Sequence, residues 1–107
     1  MLKRIFLILV LAFPAVALAG SASGRVSRIY TANDSPVVLF AVEGGLHDTA
    51  RCNESGRFAI LTTKKGGSNV YRAILEAKVR GYTVVVTGLN TCSNDWKSED
   101  VRNVEIR

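Results

Sequence analysis

From residue 25 onward the chain alternates short apolar runs with polar turn clusters, and the spacing inside the runs changes character once. Arg25 to Thr31 carries Val26, Ile29 and Tyr30, an imperfect alternation that predicts a strand with a bulge. Ala32-Asn33-Asp34-Ser35-Pro36 follows as a turn, because Asn and Asp favour turn geometry and Pro stops strand pairing. Val37 to Glu43 is almost continuously apolar and rich in β-branched residues, which predicts a strand buried on both faces over part of its length. Gly44-Gly45 ends it, and a polar loop containing Cys52 runs to Gly56. Arg57 to Thr62 predicts a third strand, with Phe58 and Ile60 on one face and Ala59 and Leu61 on the other.

After Lys64-Lys65-Gly66-Gly67 the period lengthens. Val70, Ile74 and Ala77 fall three and four residues apart, and Tyr71, Leu75 and Val79 make a parallel row. This is the pattern of an amphipathic helix, with Ser68 as its N-cap and Gly81 as its stop. Tyr82 to Thr87, with three consecutive valines, predicts a fourth strand. A polar loop with Cys92 and Trp96 then leads to a last strand, Val101 to Arg107.

The order β-β-β-α-β-β, with the helix between the third and fourth strands, is that of an OB-fold, a five-stranded Greek-key barrel. Closure would remove the exposed edges that an open five-stranded sheet leaves. The helix is expected to plug one end and to bury Val70, Ile74 and Leu75. The rival layout is an α+β sheet with the helix across one face.

The N-terminal residues follow a different logic. Lys3 and Arg4 precede an apolar stretch from Ile5 to Ala19, broken by Pro14, and Ala17-Leu18-Ala19 puts small residues where a signal peptidase cuts. That stretch has 15 residues, short of the roughly 18 to 20 that span a bilayer. Residues 1–19 are therefore expected to be a signal peptide, residues 20–24 a flexible leader, and residues 25–107 a single domain. Ser21 stands where a lipid-bearing Cys would be needed, so the expected product is exported, periplasmic or extracellular, with no stable membrane anchor. Removal of the signal lowers the formal net charge from +5 to +3. Length and address together exclude a multidomain protein, a polytopic membrane protein and a cytoplasmic nucleic-acid factor. An even cysteine count in a short exported chain favours a Cys52–Cys92 disulfide tying two loops at one end of the fold.

The run from Ser68 to Cys92 joins Glu76-Ala77-Lys78-Val79-Arg80-Gly81 to a valine strand and Gly88-x-x-x-Cys92, with Cys52 ahead of strand three. In element order and cysteine placement it resembles small exported bacterial OB-fold proteins related to the B subunits of subtilase-type and pertussis-like toxins. The resemblance extends over most of residues 24–107. It implies an OB-fold, glycan binding and five-membered rings, hence a homo-oligomer. The family's sugar-binding Ser and Tyr constellation has no match here, so no site residue is carried over.

Little in the chain suggests catalysis. His47 is the one histidine, and Asp48 beside it would point to the opposite face of an extended chain. One histidine and two bonded cysteines leave too few ligands for a transition-metal site. Neither glycine pair precedes the Lys-Ser/Thr of a phosphate-binding loop. No catalytic residue, metal or cofactor is expected. The residue of most interest is Trp96, within Ser93-Asn94-Asp95-Trp96-Lys97. Trp96 either folds inward as a lid on a small core, the favoured reading, or stacks on a sugar ring while Asn94 and Asp95 take its hydroxyls. Tyr30 and Tyr82 are expected to pack in or beside the barrel.

Arg25, Arg28, Arg51 and Arg57 would serve a single-stranded nucleic acid if they shared a face, but the small charge excess, the few aromatics and export argue against it. Acidic glycans or anionic envelope surfaces suit the charge better. The expected function is binding of a glycan or protein surface as a toxin-B-subunit-like module. The alternative is a stand-alone periplasmic protein with a structural or inhibitory role.

Overall fold

The computed structural model describes residues 18–107. All but the last two residues of the expected signal peptide lie outside that range. The elements are β1 (Ser21–Thr31), β2 (Val37–Val42), β3 (Phe58–Leu61), α1 (Gly67–Arg80), β4 (Thr83–Gly88) and β5 (Glu99–Ile106). The expected order of five strands and one helix is present. The strands hydrogen-bond in the order β1-β2-β3-β5-β4, and β4 returns to β1, so the sheet closes on itself. The pairing of β3 with β5 is parallel and short, Phe58 with Glu99 and Ala59 with Asp100. The other neighbouring pairs are antiparallel. The bulge expected in the first strand falls between Val26 and Arg28.

Ser21 to Gly24, expected as a flexible leader, belong instead to β1. They pair with Val84 to Thr87 of β4, and Ala22 is fully buried. Small residues suit this place because the backbone ladder, rather than the side chains, holds them. β5 likewise begins two residues earlier than expected, at Glu99.

The closed sheet has two faces that the register separates. Across neighbouring strands Ile29, Phe40, Phe58 and Glu99 lie side by side and point inward. Phe40 and Phe58 stack with ring centroids 5.7 Å apart, among Ala22, Val26, Val84 and Val86. The next row, Tyr30, Leu39, Ala59 and Asp100, faces outward. Leu39 and Ala59 are buried yet stand apart from the interior cluster, so something covers them from outside.

Helix α1 closes the interior with Ile74 and Ala77, both fully buried, and with the partly buried Val70 and Tyr71. Leu75, expected to be buried, is 37% exposed, because the row it shares with Tyr71 and Val79 runs along the edge of the buried stripe and turns out to solvent by Val79, which is 82% exposed. Ser68 is not the N-cap. Gly66 takes that position with φ 83°, and the backbone of Gly67 packs so closely on Leu61 that a Cβ would overlap its carbonyl oxygen. The first glycine makes the turn and the second permits the contact. Gly81 ends the helix in the left-handed conformation, as expected.

Cys52 and Cys92 are bonded across a sequence separation of 40. Closing such a loop restricts the unfolded chain by about 4 kcal/mol in the entropy model. A disulfide fits an exported location. Among the described residues no helix is long and apolar enough to cross a membrane.

Candidate functional site

The loop between β4 and β5, residues 89–98, folds back over the outer face of the sheet, and Asp100 holds it there. Thr91 Oγ1 and Ser93 Oγ each donate to Asp100 Oδ2 at 2.6 Å, and Ser93 N donates to the same oxygen at 2.9 Å. Asn94 donates from its backbone N at 3.2 Å and from Nδ2 at 2.9 Å to Oδ1. Burial disfavours the charge of Asp100, but the donors from Ser93, Thr91 and Asn94 outweigh it and hold the carboxyl below the usual aspartate value. Cys92 sits inside this hydrogen-bonded arc, so the disulfide and the carboxylate fix the same few residues.

The second half of the loop is a tight turn. Ser98 N donates to Asp95 O at 3.0 Å, which leaves Trp96 and Lys97 at the tip. Its base rests on the β2–β3 loop. Glu54 N and Ser55 N both donate to Lys97 O at 3.0 Å, and the hydroxyls of Ser55 and buried Ser98 lie 2.7 Å apart. Asn53 in turn ties that loop by donating to Arg57 O and accepting from Gly56 N.

Trp96 is 74% exposed, which overturns the expectation of an inward lid. The turn is too short to bring the indole back to the core, since both of its ends are already bonded to the sheet and to the neighbouring loop. Lys97 Nζ lies 4.2 Å from the Trp96 ring centroid and 4.0 Å from Glu54 Oε1. Cation–π contact of this kind restrains one face of the indole.

Two clefts flank the loop. The larger, about 450 Å³, opens where β3 and β5 separate after their two paired residues. Lys64, Lys65 and Arg102 line it together with Thr91, Ser93 and Asn94. Among the described residues none of these three cations is in an ion pair. The smaller cleft, about 190 Å³, is lined by Tyr30, Ser35, Leu39, Asn94 and Asp95. Tyr30 is 57% exposed, with the Arg57 guanidinium 5.8 Å from its ring centroid, so it stands on the outer face and not in the core. Tyr82 is likewise exposed.

The structure thus brings Asn94 and Asp95 together on one cleft, with Trp96 at the adjoining turn. Asn94 lines both clefts but gives one amide N–H to Asp100. His47 and Ser23 lie apart from this region, joined by a 2.8 Å contact between His47 Nε2 and Ser23 Oγ, while Asp48 Oδ2 accepts from Ser21 Oγ at 3.3 Å. Asp100, Asn53 and the lysine pair escaped the sequence reading. Ser98-Glu99-Asp100 falls ahead of the last expected strand, in the polar loop, and no local pattern marks Asp100 as the anchor. Among the described residues no group of three or more His, Cys, Asp or Glu comes together to hold a metal. Comparison of the chain with protein-family models, with curated proteins and with solved structures finds no match.

Proposed function

We propose that the protein is an exported, OB-like barrel that binds a glycan carrying acidic groups and performs no chemistry on it. The observation that carries this reading is the exposed indole of Trp96 on a turn fixed at its base, beside two clefts that share Asn94. An aromatic face accepts the apolar side of a sugar ring, and a turn that is already ordered loses little freedom on binding. Lys64, Lys65 and Arg102 in the larger cleft supply the charge for a carboxylate or sulfate substituent. Asp95 and the second amide N–H of Asn94 serve hydroxyls.

A glycan array of neutral and acidic oligosaccharides tests the reading. Wild type is expected to retain acidic members, Trp96→Ala to lose them, and the Lys64→Ala/Lys65→Ala variant to lose the preference for acidic over neutral. Equal retention by all three folded proteins would contradict it.

A second reading, a stand-alone protein that meets a protein surface in a structural or inhibitory role, draws on α1. Val79 is 82% exposed and lies beside Leu75, between Arg72, Glu76 and Arg80. Light scattering on the oxidised protein separates this stand-alone role from a toxin-like ring of identical chains. A strict monomer at high concentration would speak against a ring.

A further inference from the structure

Glu99 is fully buried, and its two oxygens are treated unequally. Oε2 accepts from Gly20 N at 2.9 Å and from Asn90 N at 2.8 Å. Oε1 is buried and has no hydrogen-bond partner among the described residues. Among the described residues no Lys, Arg or His lies within ion-pair distance of this carboxyl. A buried carboxylate with one orphaned oxygen is costly unless a cation completes it.

Gly20 lies against both oxygens. Its N is bonded to Oε2, and a Cβ on Gly20 would overlap Oε1. Gly88 N donates to Gly20 O at 2.9 Å, so the residue is held from the other side as well. Gly20 is also where burial begins: Leu18 is 62% exposed, Ala19 is half-buried and Gly20 is buried. The same residue follows Ala17-Leu18-Ala19, the small-residue site at which export would cut the chain.

We infer that Glu99 is a receptor for the α-ammonium of Gly20, created when the Ala19–Gly20 bond is hydrolysed during export. Water adds across that bond. Ala19 leaves with the new carboxylate on residues 1–19, and Gly20 N takes up a proton to become an ammonium. One N–H keeps the bond to Oε2, and a further N–H is available for Oε1. Maturation then installs the missing cation in the interior, and the processed chain is more stable than the chain that keeps its leader. This inference rests on the export reading, but the pocket can be tested without it.

The experiment compares an oxidised chain beginning at Gly20 with one beginning at Leu18, each with Glu99 and with Glu99→Gln. Both are released from fusions by a site-specific protease, independently of natural processing. With Glu99 present, the Gly20 chain is expected to melt about 10 °C above the Leu18 chain. With Glu99→Gln, most of that difference is expected to vanish. Equal melting of the two Glu99 chains, or a difference that survives Glu99→Gln, overturns the receptor. Should Glu99→Gln not fold, acylation of the terminal amine by an activated ester decides. The Gly20 amine is expected to react at least about tenfold more slowly than the Leu18 amine, because it is buried and paired, and equal rates overturn the inference. The intact mass of the exported protein tests the processing step separately. A mature chain that begins anywhere but Gly20 overturns the claim that maturation forms the pair.

Discussion

Asp100 reaches back to Asn94 through two hydrogen bonds, from the backbone N at 3.2 Å and from Nδ2 at 2.9 Å, so that one outward-facing carboxylate on β5 sets the course of the loop carrying Trp96. Three further donors from Thr91 and Ser93 complete its shell. Replacing Asp100 by Ala strands these donors, and the expected loss is about 3 kcal/mol of unfolding free energy, read from urea denaturation. A loss below about 0.5 kcal/mol would show that the loop holds its shape without the carboxylate.

The same group gives the stability a pH dependence of definite sign. Its folded pKa is depressed, so its contribution is fully present above the unfolded aspartate value of about 3.9 and is lost as pH falls through the lower folded value. Between pH 7 and pH 2.5 wild type is expected to lose more melting temperature than Asp100→Asn, which has no charge to neutralise there. Parallel acid profiles would remove Asp100 from the cause.

Reduction of Cys52–Cys92 releases a loop with a sequence separation of 40, and about 4 kcal/mol of stability is expected to go with it. Denaturation with and without reductant measures this. Mass spectrometry should find both sulfurs closed to alkylation until the reductant is added.

Gly67→Ala places a methyl group against the Leu61 carbonyl, where the backbone of α1 meets β3. The expected cost is about 2 kcal/mol or more, since neither backbone can move aside without disturbing the helix that closes the interior. Gly66→Ala acts through its positive φ instead and is expected to cost about 1 kcal/mol.

These residues also show what local pattern conveys and what it does not. The unbroken apolar run Phe58, Ala59, Ile60 and Leu61 and the helical spacing of Val70, Ile74 and Ala77 state their own burial, because each element's pattern is visible within its own residues. Ser21 to Gly24 carry no such signal. Their order comes from Val84 to Thr87, distant in sequence, through backbone bonds that side-chain identity does not advertise. Glu99 and Asp100 are hidden for the same reason. A carboxylate is tolerated in the interior or under a loop only when amides from elsewhere reach it, and those of Gly20, Asn90, Ser93 and Asn94 converge only after folding. Trp96 was legible as a candidate but not in its orientation, which the turn from Asp95 to Ser98 and its seat on Glu54 and Ser55 decide.

Trp96 is the single tryptophan of the chain, so its emission reports on the proposed recognition surface with no competing signal. Titration of the oxidised mature protein with an acidic oligosaccharide, followed by Trp fluorescence, is the most direct measurement. A saturable blue shift as the sugar covers the exposed indole, weaker for the neutral analogue, is the expected result. Emission that stays unchanged while the same oligosaccharide is bound, as seen by calorimetry, would place the binding surface elsewhere and contradict the account.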